Sequence, residues 1–198
     1  MRLLGPVLAL ALLGAELSAS ATVVRAMSLE EKTNACPVIV LAEVQSQETH
    51  WVRPGGSAET VFTLKVKESL KGDLKVGSTF TLLQAGGRIG EFLHEVPGQS
   101  SWKKGEQAVL FLERFERHYV EVGVGIGKYG IEPSAKGPMV THNPKVAVAV
   151  IDRGRPMKVE AAKPMAPTPL PEFLTTVRNL VNHTQHKTLA PRPAIQGQ

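Results

Sequence analysis

The chain has 198 residues, 42% hydrophobic and 21% charged, with 18 glycines, 14 prolines and one cysteine. That balance belongs to a folded globular chain and excludes a fibrous or wholly disordered one. The lone Cys36 excludes an internal disulfide framework and any thiol-based zinc knot. A formal charge of +5 is too modest for the dense basic stripe of a nucleic-acid binder, and no nucleic-acid partner is expected.

The chain opens with Arg2, an apolar run from Leu3 to Ala15, and the small residues Ala19-Ser20-Ala21. This is the pattern of a signal peptide over residues 1–21, with cleavage between Ala21 and Thr22. Glu16 ends the apolar run well short of the roughly 20 residues a membrane span needs, and no later segment reaches that length. Ser20 stands where a lipoprotein would carry its cysteine. The expected product is exported, periplasmic or extracellular, and not lipid-anchored. Losing Arg2 and Glu16 removes one charge of each sign, so the +5 is unchanged.

Ser28-Leu29-Glu30-Glu31 reads as a capping box opening a short helix over 28–35 that stops before Pro37. Cys36 reads as a small buried apolar residue. Strands then dominate. In 37–47, Val38, Val40, Ala42 and Val44 share one face. In 59–69, Phe62, Leu64 and Val66 alternate with Thr63, Lys65 and Lys67, the period of a half-buried strand. Breakers at Lys71-Gly72-Asp73 and Gly77 precede a strand over 78–84. Residues 107–115 are apolar on both faces and predict a central, doubly covered strand. Residues 119–126 alternate with Val120, Val122, Val124 and Ile126 inward, and shorter strands are expected at 128–132, 138–142 and 146–151. These elements make 22–151 a β domain.

Five prolines between Pro156 and Pro171 predict a stiff, extended linker over 152–170. Phe173, Leu174, Val177, Leu180 and Val181 then form one stripe of a helix over 171–184. Residues 185–198 lack a stripe and are expected to form a disordered tail.

Residues 85–105 interrupt the strand rhythm with five glycines and a proline. An ordered loop this long in a small domain is often functional, although a twisted hairpin over one barrel end fits equally well. Arg88, Glu91 and Trp102 are its candidate contact residues. Trp51 and Arg53, in the connection between the first two strands, pair an indole with a guanidinium suited to a sugar ring or a protein contact. None of the six histidines has the spacing of a metalloprotease helix, so no metal is expected. Gly125-Ile126-Gly127-Lys128-Tyr129-Gly130 matches a dinucleotide fingerprint in letters only, because Ile131-Glu132-Pro133 cannot open the helix that motif requires. Ser100 and Ser101 precede lysines by three residues, yet Pro97-Gly98 and Gly105 leave little room for the helix an acylating serine needs. No catalytic residues and no cofactor are assigned.

From Ser28 to about Glu132 the order of elements resembles the netrin-like OB barrel shared with tissue inhibitors of metalloproteinases. The carrying segments are the leading helix, Val38-Ile39-Val40-Leu41-Ala42-Glu43-Val44, Val66-Lys67-Glu68-Ser69-Leu70-Lys71-Gly72, Trp102-Lys103-Lys104-Gly105-Glu106-Gln107 into Ala108–Leu112, and the strand pair Tyr119–Val124 and Lys128–Ile131. The resemblance implies a mainly β fold: a small OB-like barrel with a short N-terminal helix, and a C-terminal helix after the proline-rich linker. It does not bring the inhibitors' mechanism, which uses an N-terminal cysteine where this chain is expected to begin at Thr22. The reading is an exported, non-enzymatic module that recognises a secreted or envelope protein or a polysaccharide. The alternative is a proteinase inhibitor acting through 85–105.

Overall fold

Chain order and local chemistry set the elements of the structure, a computed structural model that describes residues 22–150 and 156–189, with side chains as far as Thr184. They run β1 (Val23–Arg25), α1 (Leu29–Ala35), β2 (Val38–Arg53), β3 (Ser57–Lys71), β4 (Thr79–Ala85), β5 (Gly87–Ile89), β6 (Phe92–His94), β7 (Gln107–Phe115) and β8 (His118–Glu121). After them come α2 (Gly123–Ile126), β9 (Lys128–Glu132), β10 (Met139–His142), β11 (Ala147–Val150), β12 (Lys158–Ala161), β13 (Met165–Pro169) and α3 (Leu170–Leu189). The fold is mainly β with a C-terminal helix. The predicted signal peptide, Ala21 included, and residues 190–198 of the predicted tail lie outside the described residues.

Ser28 caps α1: its hydroxyl accepts from the Glu31 amide at 3.1 Å, while the Glu31 carboxylate accepts from the Ser28 amide at 2.8 Å. Pro37 ends the helix, and Lys71 Nζ closes its last turn by donating to the Thr33 carbonyl at 2.6 Å. The main sheet has eight strands in the order β13-β10-β9-β7-β2-β3-β4-β8, and β8 also pairs with β7. Neighbours are antiparallel except β4 and β8, which meet in parallel at Leu82 and Tyr119. A smaller sheet, β1-β11-β12, joins the first strand to β11 in parallel, and β5 and β6 form a separate hairpin.

β2 and β7 are covered on both faces, as the apolar run 108–112 requires. One face puts Ile39, Leu41, Val109 and Phe111 against Phe173, Leu174, Val177 and Val181 of α3. The other puts Val38, Val40, Leu110 and Leu112 against Phe62, Leu64, Phe80 and Leu82. The three-to-four-residue spacing of the α3 stripe aims it at the sheet, and Arg178 fixes the helix laterally through an ion pair to Glu68. Cys36 is fully enclosed on the α3 side, where burial pushes its thiol up to about 12 and keeps it protonated.

Three expectations need correction. Residues 158–161 and 165–169, expected inside the linker, are paired strands: β12 lies antiparallel to β11, and β13 is the edge strand beside β10. Pro167 and Pro169 are tolerated there because an edge strand need not donate on its open side. The strand expected over 119–126 stops at Glu121, because Gly123 and Gly125 take φ of +54° and +72° and turn the chain through α2. Finally, α3 carries five residues of the expected tail, 185–189, as helix.

Candidate functional site

The region 85–105 holds the β5–β6 hairpin, laid against the turn end of the β2–β3 pair. A threonine pair receives it. Thr49 and Thr60 sit opposite one another in the ladder, with hydroxyls 3.0 Å apart, and Thr60 donates to the Gly86 carbonyl at 2.7 Å. The single Thr60 proton is thereby used, so Thr49 is the donor within the pair. Gly87 rests directly on these side chains: a Cβ there would lie 2.3 Å from Thr60 Oγ1. His94 Nδ1 reaches the Ala58 amide and carbonyl at 3.1 and 3.0 Å, fastening β6 to β3.

Between this hairpin and the sheet runs a groove of about 680 Å³. Gln47, Thr49, Thr60 and Gln84 form its floor, Arg88 and His94 one side, and Gln99 to Trp102 the other. Trp102 is a wall, not a free platform. Its Nε1 donates to Gln84 Oε1 at 3.0 Å, its ring lies 5.5 Å from that of Phe62, and Lys128 Nζ sits 4.1 Å from its centroid. Lys128 also donates to the Ser101 carbonyl and pairs with Glu106 at 2.6 Å. The cation that holds the indole is therefore itself held from two directions.

Arg88 and Trp102 come together in this groove; the other candidates do not. Trp51 is on β2, not in a loop, and packs against Phe92 with centroids 4.6 Å apart, outside the groove. Arg53 is exposed at the end of β2, and Glu91 is exposed in the β5–β6 turn. Thr22 donates from its hydroxyl to the Pro97 carbonyl at 2.6 Å, tying the start of the described chain to the groove rim. Of the lysines on β3, Lys67 is paired with Glu43 at 3.2 Å. Gly125 to Gly130 lead into β9 and not into a helix.

Sequence reasoning missed Glu121. Its carboxylate lies under the groove wall, with Oε1 accepting from the Gly127 and Lys128 amides at 3.0 Å each, while Oε2 is buried without a partner among the described residues. Burial pushes this carboxyl up to about 7, opposed by the nearby Ser100 hydroxyl, the Gly127 amide and Lys128. The carboxylate braces the turn that follows β8. Alternation alone could not reveal it, since a glutamate between valines reads as solvent-facing. Gln84 and Gln99 were equally invisible, because an amide on a strand or loop looks alike inside a groove and outside it.

The groove offers amides, hydroxyls, a guanidinium and the aromatic surfaces of Phe62 and Trp102, which is the chemistry of reversible binding. Among the described residues no three His, Cys, Asp or Glu side chains gather as metal ligands. The chain matches no protein-family model, and no curated protein matches it.

Proposed function

We propose that the chain is an exported, non-enzymatic recognition module that binds an extended segment of a secreted or envelope protein, or an envelope polysaccharide, in the groove beneath 85–105. The groove itself carries the reading. Its walls are fixed by the Gly87–threonine contact and by the Trp102–Gln84–Lys128 cluster, so it is formed before any ligand arrives. The finer fold assigned here is a netrin-type OB barrel. The run β2-β3-β4-β8 and the return pairing of β8 to β7 support it. In such a barrel, ligands meet the face of the second and third strands, the position that β3 and β4 take beneath the groove. The leader over 1–21 supports export.

The test compares the full chain with an Arg88→Ala/Gln47→Ala double variant in capture from envelope and culture-fluid extracts and on immobilised envelope polysaccharide. Both residues are exposed, so the variant should melt within about 2 °C of the parent. Loss of at least tenfold in affinity for the captured ligand is the expected result. Capture unchanged by the double variant, or no capture at all, sinks the reading.

The exposure of Arg88, Gly90, Glu91 and Leu93 on the β5–β6 hairpin favours a second reading, a proteinase inhibitor that presents this hairpin to an enzyme cleft. Stoichiometric loss of protease turnover, abolished by Arg88→Ala, would distinguish it.

A further inference from the structure

A second cavity, of about 450 Å³, lies between the β1-β11-β12 sheet and the β9–β10 end of the main sheet. Met27, Leu29, Ile126, Val148 and Met165 make its walls apolar. Lys32 of α1 also lines it, although only 3% of that residue is exposed. A lysine so deeply enclosed normally has a carboxylate beside it. This one has none within ion-pair distance among the described residues. Its Nζ donates to the Ile126 carbonyl at 2.9 Å and sits 4.6 Å from the Tyr129 ring centroid. An ammonium has three protons, and these two contacts leave one without an acceptor.

The neighbouring groups sharpen the asymmetry. The Tyr129 hydroxyl makes no hydrogen bond among the described residues, and burial alone raises its pKa. His142 stacks on Tyr129 with centroids 4.1 Å apart and bonds through Nδ1 to the Lys128 carbonyl at 2.9 Å, which fixes the ring. Glu121 acts on Lys32 only from beyond ion-pair range, and Glu160 and Lys163 at the rim are exposed. The cavity thus joins a buried cation and a free hydroxyl to an apolar chamber.

We propose that this cavity binds a small carboxylate with an aliphatic tail, its head against Lys32 Nζ and the Tyr129 hydroxyl and its tail along Met27, Leu29, Val148 and Met165. The ligand supplies the counter-charge that the described residues leave out, and a chamber of this volume falls within the usual range for small-molecule sites. The site is separate from the groove and does not depend on the recognition reading.

The test is titration calorimetry on the full chain with octanoate, against octanol, which has the tail without the charge, and acetate, which has the charge without the tail. Octanoate should bind at least about tenfold more tightly than either. Lys32→Met should lose at least tenfold in octanoate affinity while keeping a cooperative melt. Ala161→Trp, which fills an exposed position at the cavity mouth and leaves the core alone, should do the same if Lys32→Met fails to fold. No octanoate binding at millimolar concentration overturns the proposal, as does equal binding of octanol or indifference to Ala161→Trp.

Discussion

At the scale of single residues, Glu121 and His142 are enclosed groups that burial pushes in opposite directions. Glu121 goes from its ordinary 4.5 to about 7, so between those values the folded chain holds a proton that the unfolded chain has released. Its contribution to stability therefore falls as pH rises through that window. His142 goes from 6.5 to about 4, so the unfolded chain takes up the proton first and stability falls as pH drops through that window. Between pH 5 and 6.5 the two slopes oppose one another, each at most about 1.4 kcal/mol per pH unit. The parent should melt at nearly constant temperature across that range. Glu121→Gln should leave a melting temperature that climbs with pH, and His142→Phe one that declines; calorimetric melts at half-unit steps would show both. Flat profiles in both variants would remove this account. Neither group was legible in the sequence, since a histidine after Thr141 and a glutamate between valines carry no mark of enclosure. Arg88 and Trp102 were legible because they fall in the one long glycine-rich interruption.

At the scale of elements, local rules recovered what local chemistry determines. The Ser28–Glu31 box opens α1, period-two alternation marks β3, and the Phe173–Val181 stripe marks α3. Pairing partners were not legible, because a strand's letters do not say which edge it will meet. β12 and β13 were hidden for that reason among prolines that read as a linker. The α2 turn depends on a contact between distant parts of the chain. Gly125, at φ +72°, packs so closely on the Gly98 carbonyl that a Cβ would lie 2.0 Å from that oxygen. Gly125→Ala should therefore cost about 2–4 kcal/mol, combining left-handed strain with displaced backbone. It should also weaken groove binding, because residues 98–101 would be pushed away from the turn. Denaturant melts read the first effect and the capture assay the second. A loss under 1 kcal/mol would show that the turn moves freely.

At the scale of the whole molecule, α3 is not an appendage. A chain ending at Ile151 would remove Phe173, Leu174, Val177 and Val181 and lay bare Ile39, Phe111, Tyr129 and Val140. Deleting one buried Phe already costs about 3–5 kcal/mol, against a typical total of 5–15. The truncated chain should show no cooperative melt and should bind a dye for exposed apolar surface; a sharp melt at the parent's temperature would refute this. The molecule has two apolar clusters, yet β2 and β7 send alternate residues into both, with Ile39 and Phe111 to one side and Val40 and Leu110 to the other. Neither cluster can loosen without moving the backbone that the other grips. Deuterium should therefore enter the amides of β2 and β7 at one shared, slowest rate, set by opening of the entire chain, while the β5–β6 hairpin exchanges long before them.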